Sequence, residues 1–132
     1  MEKNSKIVTE ISAGELLDKI SILEIKLEKI KNKDNQIEVA KEYKMLKKTQ
    51  ELNIKSTDEI NELIKEMKAI NLNLWNIEDQ LRICEKSKDF GKSFIELARG
   101  VYLNNDKRAK IKSKINILLG SNIKEIKQYV DY

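Results

Sequence analysis

The segment "INELIKEMKAINLNLWNIEDQLRIC", residues 60–84, decides how this chain folds. Its apolar side chains recur at alternating steps of three and four residues, which is the spacing of one face of a helix. These side chains are Ile60, Leu63, Met67, Ile70, Leu74, Ile77, Leu81 and Cys84. Such a regular heptad pattern predicts a long helix that packs against a second long helix in a coiled-coil-like manner.

Capping signals predict where the helices begin. Ser12 is followed three residues later by Glu15, which is the pattern of a capping box, so a first helix is expected from there to about residue 31. The segment "NKDN" at 32–35 predicts a turn before a more polar helix over 36–54. The segment "STDE" at 56–59 repeats the capping-box pattern and opens the heptad helix, which we expect to run to about residue 86.

A last helix is expected from about residue 92 to residue 119, because Gly120 is suited to a left-handed helix cap. Gly100 and the pair Asn104 and Asn105 are places where this helix could kink or divide. The first helix differs from the others because its apolar residues fall on nearly all sides. We therefore expect the first helix either to be the most buried helix or to take part in a contact between subunits.

These patterns predict an all-α fold, an antiparallel bundle of about four helices in which two long helices pack in a coiled-coil-like manner. Residues 1–132 are expected to form a single helical domain, since no internal repeat and no flexible linker interrupts them. Residues 1–11 are expected to form an arm, in which the alternating residues 7–11 could be extended or form a short strand, and residues 121–132 are expected to form a tail. Residues 123–130 of that tail are candidates to pair with the arm.

Composition excludes several classes of protein. The chain has no histidine and one cysteine, so zinc or haem sites with ordinary ligands, internal disulfides and Ser-His or Cys-His nucleophiles are not expected. We predict no metal and no cofactor. The net charge of +4 comes from interspersed lysines and acids, so nucleic acid is an unlikely partner. No apolar run approaches the length of about 20 residues that a membrane-spanning helix needs. Cys84 is expected to be a small core residue, and a single cysteine suits a reducing cytoplasm.

Rare polar residues interrupt the apolar faces of two helices. Asn71, Glu78 and Arg82 share one sector of the heptad helix beside Trp75, and similar residues recur on the last helix. The chain has 23 lysines and only three arginines, which suggests that the retained arginines supply planar, multi-donor groups. We expect Arg82 and Arg108 to project toward each other across the interior, and Arg99 to be a surface charge. The predicted ligand-contacting residues are Asn71, Trp75, Glu78, Asp79, Arg82, Asn105, Arg108 and Lys112.

Three interpretations of these residues are open, and the simplest is ordinary pairing of charges on the surface. Buried polar groups in a bundle can fix the register of its helices, so they could form an internal network. They could instead line a pocket for a small anionic or sugar-like ligand, approached from the first helix by Glu15, Asp18, Ser21 and Glu24. Trp75 is then either a half-buried packing residue or a stacking platform.

Two segments together resemble a known family. They are "ISAGELLDKISILEIKLEKI" at 11–30 and "LWNIEDQLRICEKSKDFGKSFIELARGVYLNNDKRAKIKSKIN" at 74–116. In this order they resemble one of the small bacterial and phage-borne families catalogued as a domain of unknown function. The resemblance implies no activity. It marks as family-like the positions Trp75, Glu78, Asp79, Arg82, Asn105, Asp106 and Arg108.

The sequence supports a leading function and an alternative. The leading hypothesis is a helical interaction protein that self-associates, most simply as a two-fold homodimer. The alternative is a binder or enzyme that acts on a phosphate-bearing small molecule such as a nucleotide or sugar nucleotide. No catalytic residue is identified in either case.

Overall fold

The computed structural model describes residues 6–132, which form four helices joined by short connections. The helices are α1 (Ala13–Lys29), α2 (Lys33–Asn53), α3 (Asp58–Ser87) and α4 (Lys92–Leu118). The predicted all-α helical bundle is therefore confirmed. Within the same residues, no helix is both long enough and apolar enough to cross a membrane.

The helix starts follow the capping signals with small shifts. The Ser12 hydroxyl accepts from the Glu15 amide at 3.1 Å, but the Glu15 side chain turns to Lys112 instead of completing the capping box. α3 is capped by Thr57, one residue later than predicted. α2 begins at Lys33 after the cap residue Asn32, so the turn predicted at 32–35 is shorter than expected.

α4 is one continuous helix, because neither Gly100 nor the asparagine pair interrupts it. Gly120, just beyond its end, has a φ of 62°, as the cap prediction requires. The Ser121 amide then donates to the carbonyl of Asn116 at 2.8 Å, which closes the last turn.

α1 is the central helix of the bundle. It contacts each of the other three helices, and eight of its residues are buried, compared with five in α3 and four in α4. The prediction that the first helix is the most buried is therefore confirmed. Among the described residues α2 contacts only α1 and has no buried residue, so α1, α3 and α4 form the core.

The core is centred on Leu17 of α1, Met67 of α3, and Ile111 and Ile115 of α4. Met67 and Ile115 are 0 % exposed, and burying a side chain of this size contributes about 1.5–3 kcal/mol. The heptad face of α3 points inward as predicted. Its residues Ile60, Met67, Leu74 and Cys84 are buried, whereas Leu63, Ile70, Ile77 and Leu81 are half-buried.

The arm and the tail do not pair as strands. Residues 6–11 are exposed and irregular, and no strand occurs in the part of the chain that the structure describes; residues 1–5 of the predicted arm lie outside that part. The tail runs along α4, where Glu125 contacts Lys112 and Tyr132 contacts Asp106. Among the described residues, the predicted pairing of 123–130 with the arm is therefore wrong. The arm holds the start of the tail, where Asn122 donates to the carboxylate of Glu10 at 2.8 Å, whereas Glu125 and Tyr132 have their partners on α4.

The start of α1 lies so close to α4 that Gly14 has no room for a side chain. A Cβ atom there would lie 2.7 Å from the carbonyl oxygen of Lys112 and 2.9 Å from Oδ1 of Asn116. The Gly14 amide also donates to that Asn116 oxygen at 2.7 Å. The contact between α1 and α4 therefore depends on a glycine at this position.

We predict that Gly14→Ala lowers the free energy of unfolding by about 1–3 kcal/mol, because the backbone of α4 must move. The matched control is Gly100→Ala, another helical glycine. Its Cβ would lie 3.0 Å from Cδ1 of Ile77, the mobile end of a side chain, and alanine gains up to about 1 kcal/mol of helix propensity. Urea unfolding measures both, and equal losses would contradict the prediction.

Candidate functional site

Asn71 joins three helices through its side-chain amide. Only 4 % of the residue is exposed. Its Nδ2 donates to Oδ1 of Asp18 and to Oγ of Ser21, both at 2.8 Å, and its Oδ1 accepts from Nη1 of Arg108 at 3.0 Å. Because the nitrogen is needed by the two acceptors on α1, the oxygen must face Arg108 on α4.

Arg108 is held by amide oxygens, not by a carboxylate. Its Nη2 donates to Oδ1 of Asn105 at 2.6 Å, and the residue is half-buried. The other two arginines pair with Glu78 and Glu96, whereas Arg108 has no acidic partner within residues 6–132. We call Asp18, Ser21, Asn71, Asn105 and Arg108 the Asn71 network.

Lys112 is the centre of a second polar cluster, one turn of α4 beyond Arg108. It is 8 % exposed, and its Nζ lies 2.8 Å from Glu15, 2.9 Å from Glu125 and 3.5 Å from Asp18. Burial opposes its charge, but the hydrogen bonds to Glu15 and Glu125 raise the pKa of Lys112 above its usual value. The hydrogen bond from Lys112 lowers the pKa of Glu125. Asp18 connects this cluster to the Asn71 network.

An open cleft of about 260 Å³ lies between α1, α3 and α4 on the side of Arg108, and we call it the Trp75 cleft. Its lining residues are Ile22, Ile25, Asn71, Leu74, Trp75, Glu78, Asp79 and Arg108. Five of the predicted ligand-contacting residues therefore share one cavity. Trp75 is half-buried at its wall, and Asp79 is exposed.

Three of the predicted site residues lie outside the lining of the cleft. Asn105 accepts a hydrogen bond from Arg108, and Lys112 belongs to the separate cluster with Glu15. The side chain of Arg82 is 72 % exposed and bonds to the carboxylate of Glu78. The prediction that Arg82 and Arg108 meet across the interior is wrong, because an exposed arginine can pair with an acid one turn earlier at no cost of burial. Arg99 is exposed, as expected.

The first helix contributes most of the residues that the sequence suggested. Asp18 and Ser21 reach Asn71, and Glu15 reaches Lys112, whereas Glu24 instead pairs with Lys68 of α3 at 3.2 Å. Glu125 was not predicted, because it lies in a tail with no helical periodicity that could orient it. Across residues 6–132, no group of three or more acidic or cysteine side chains is arranged to hold a metal ion.

Comparison with known protein families gives one match. Residues 7–131 match the model of DUF6165, which is described as a family of unknown function. This match confirms the resemblance to a domain of unknown function. No curated protein and no solved structure matches the chain.

We predict that Asn71→Ala lowers the free energy of unfolding by about 2–4 kcal/mol. The substitution removes one hydrogen bond from the buried carboxylate of Asp18 and one from the half-buried guanidinium of Arg108. Arg82→Ala, on the same sector of α3, should change stability by less than about 0.5 kcal/mol, because its ion pair is exposed. Chemical denaturation followed by circular dichroism compares the two. A loss for Arg82→Ala as large as that for Asn71→Ala would show that burial does not separate them.

Proposed function

The chain belongs to the DUF6165 family of unknown function, and we propose that its Trp75 cleft binds a small molecule that carries an anionic group and several hydroxyl groups. A sugar phosphate is the simplest member of this class. One observation carries the proposal. Arg108 is half-buried and fixed by two amide oxygens, has no acidic partner among the described residues, and lines an open cleft.

The charge of Arg108 remains available for a ligand. Asn71 and Asn105 are neutral, so they orient the guanidinium without cancelling its charge. A guanidinium has five N–H donors, and the two amide oxygens use only two of them. The remaining donors suit the oxygens of a phosphate or carboxylate group, which arginine binds in a bidentate manner.

The rest of the cleft suits a polar ring better than a second anion. With a helical rise of about 1.5 Å per residue, Trp75 lies about 6 Å and Glu78 about 10 Å along α3 from Asn71. A ligand with its anion at Arg108 would therefore place its middle against the Trp75 ring and its far end at Glu78 and Asp79. An indole face packs well on the C–H face of a sugar, and carboxylates accept hydrogen bonds from hydroxyl groups.

The size of the cleft limits the ligand. Sites for drug-sized molecules occupy about 300–1,000 Å³, and the Trp75 cleft, at about 260 Å³, lies just below that range. This volume is the right order for a single phosphorylated sugar lying in the open cleft. A nucleotide or sugar nucleotide would leave part of its length in solvent, so we place the sugar phosphate first in the class.

We predict that hexose and pentose phosphates raise the melting temperature and quench the fluorescence of Trp75, whereas inorganic phosphate and free glucose do so much less. A ligand that binds only the folded state must stabilise it. Arg108→Gln should weaken binding about 10- to 100-fold, as expected for the loss of hydrogen bonds to a charged donor. Fluorescence titration measures this affinity.

Arg99→Gln is the matched control, because Arg99 is exposed, pairs with Glu96, and neither residue lines the cleft. It should leave the affinity within about threefold, which is the difference that one surface interaction makes. Asp79→Asn, an exposed substitution at the cleft, tests the hydroxyl end without disturbing the Asn71 network. Equal losses for Arg108→Gln and Arg99→Gln, or no response to any sugar phosphate in the panel, would refute the proposal.

A second candidate function is self-association into a homodimer, and the outer face of α2 favours it. Ile37, Met45 and Leu52 are 64 %, 59 % and 75 % exposed, and their spacing places them on one face. That face is opposite the half-buried residues Tyr43 and Leu46 that turn toward α1. A two-fold contact between two copies of α2 would bury these side chains.

A coiled-coil geometry for α3 and α4 stays a prediction. A cytoplasmic location also stays a prediction, and the free, buried thiol of Cys84 would suit it.

We predict that the chain sediments as a dimer at micromolar concentration and that Met45→Glu shifts it to monomer, because a charge would be buried in the contact. Ala40→Glu is the control, since Ala40 is exposed on α2 away from the apolar face. Analytical ultracentrifugation distinguishes the states. A monomeric native chain would exclude this candidate without bearing on the Trp75 cleft.

A further inference from the structure

Three of the four tyrosines in the chain meet on the side of α4 that faces the tail. Tyr102 comes from α4, and Tyr129 and Tyr132 come from the tail. Together with Asn105, Asp106 and Val130 they line a pocket of about 420 Å³, which we call the tyrosine pocket. None of the three tyrosines lines the Trp75 cleft, so substitutions of the tyrosines test this pocket, whereas Asn105 adjoins both sites because its side-chain oxygen also holds Arg108.

Two walls of the tyrosine pocket stand almost at a right angle. The rings of Tyr102 and Tyr132 are inclined by 81°, with centroids 5.6 Å apart. The Tyr132 hydroxyl donates to the carboxylate of Asp106, and this hydrogen bond raises the pKa of Tyr132. This contact holds the carboxylate of Asp106 beside the two rings.

We infer that the tyrosine pocket binds an organic ammonium cation. The face of an aromatic ring carries negative potential, so a cation in the corner between two perpendicular rings is attracted by both. Tyr129 supplies a third ring, and Asp106 adds a full negative charge. An anionic ligand would be repelled by that carboxylate, and a neutral apolar ligand would gain nothing from it.

The exposure of the rings sets the expected strength. Tyr102, Tyr129 and Tyr132 are 44 %, 70 % and 78 % exposed, so water screens the pocket and binding is expected to be weak. The shared chemistry of the ligand is a methylated or primary ammonium group. A free small molecule such as choline and the methylated lysine of another protein both carry it.

The test is an NMR titration of the full chain with choline and with 3,3-dimethylbutan-1-ol, which has the same shape but no charge. We expect choline to shift the signals of Tyr102, Tyr129 and Tyr132 in a saturable way at millimolar concentration. The neutral analogue should leave them unchanged. Equal shifts with both compounds, or no shift with choline, would overturn the inference. A trimethyllysine peptide forms a further arm, and tighter binding than choline would identify a protein side chain as the source of the cation.

Variants of the chain separate the rings from the fold. Tyr102→Leu or Tyr132→Leu should weaken choline binding about 3- to 30-fold, the range expected for the loss of one ring. Tyr132→Phe keeps the ring and should retain most of the affinity. Tyr43→Leu, the tyrosine of α2 that lies outside the pocket, should leave choline binding unchanged. A loss of binding in Tyr43→Leu as large as in Tyr102→Leu would overturn the assignment.

Discussion

The carboxylate of Asp18 must be partnered inside the bundle, and much of the architecture follows from this requirement. Asp18 lies on the most buried helix and is only 6 % exposed. A buried charge without partners costs several kcal/mol, so Asn71 of α3 and Lys112 of α4 must both reach it. Apolar contacts such as that of Leu17 with Met67 tolerate small shifts along the helix axes. The hydrogen bond from Asn71 and the ion pair with Lys112 restrict α3 and α4 to one register against α1.

The hydrogen bonds of Asn71 also fix the position of Arg108, which we propose to be the anion-binding group of the Trp75 cleft. Asn71 gives its nitrogen to α1 and therefore has only its oxygen left for Arg108. The guanidinium is thus fixed before any ligand arrives, which reduces the entropy cost of binding. An internal network and a ligand site are consequently compatible interpretations of these residues. Asn71 and Asp18 support the fold, and Arg108 keeps donors that the fold does not use.

The parts of this structure that were predictable from sequence are those fixed by local patterns. Periodicity and capping residues located all four helices, and asparagine and arginine on apolar faces indicated Asn71 and Arg108. Arg82 lies on the same side of α3 as Asn71, yet its side chain is exposed to solvent and pairs with Glu78 one turn earlier. The position of a residue around a helix does not determine whether a long side chain pairs with a buried group or with an exposed acid on its own helix. Glu125 and the tyrosines of the tail have no periodic pattern, so only their docking on α4 reveals their partners.

The tail contacts α4 at Lys112 and Asp106, and residues between these two contacts contribute to the tyrosine pocket. Glu125 meets Lys112 and Tyr132 meets Asp106, so the tail runs opposite to the helix. The two positions on α4 are separated by about 9 Å at the rise of a helix. The seven steps of tail between Glu125 and Tyr132 could span up to about 24 Å if extended. The chain between these two contacts is therefore longer than the helix distance requires, and Tyr129 and Val130 of this segment line the tyrosine pocket together with Tyr102.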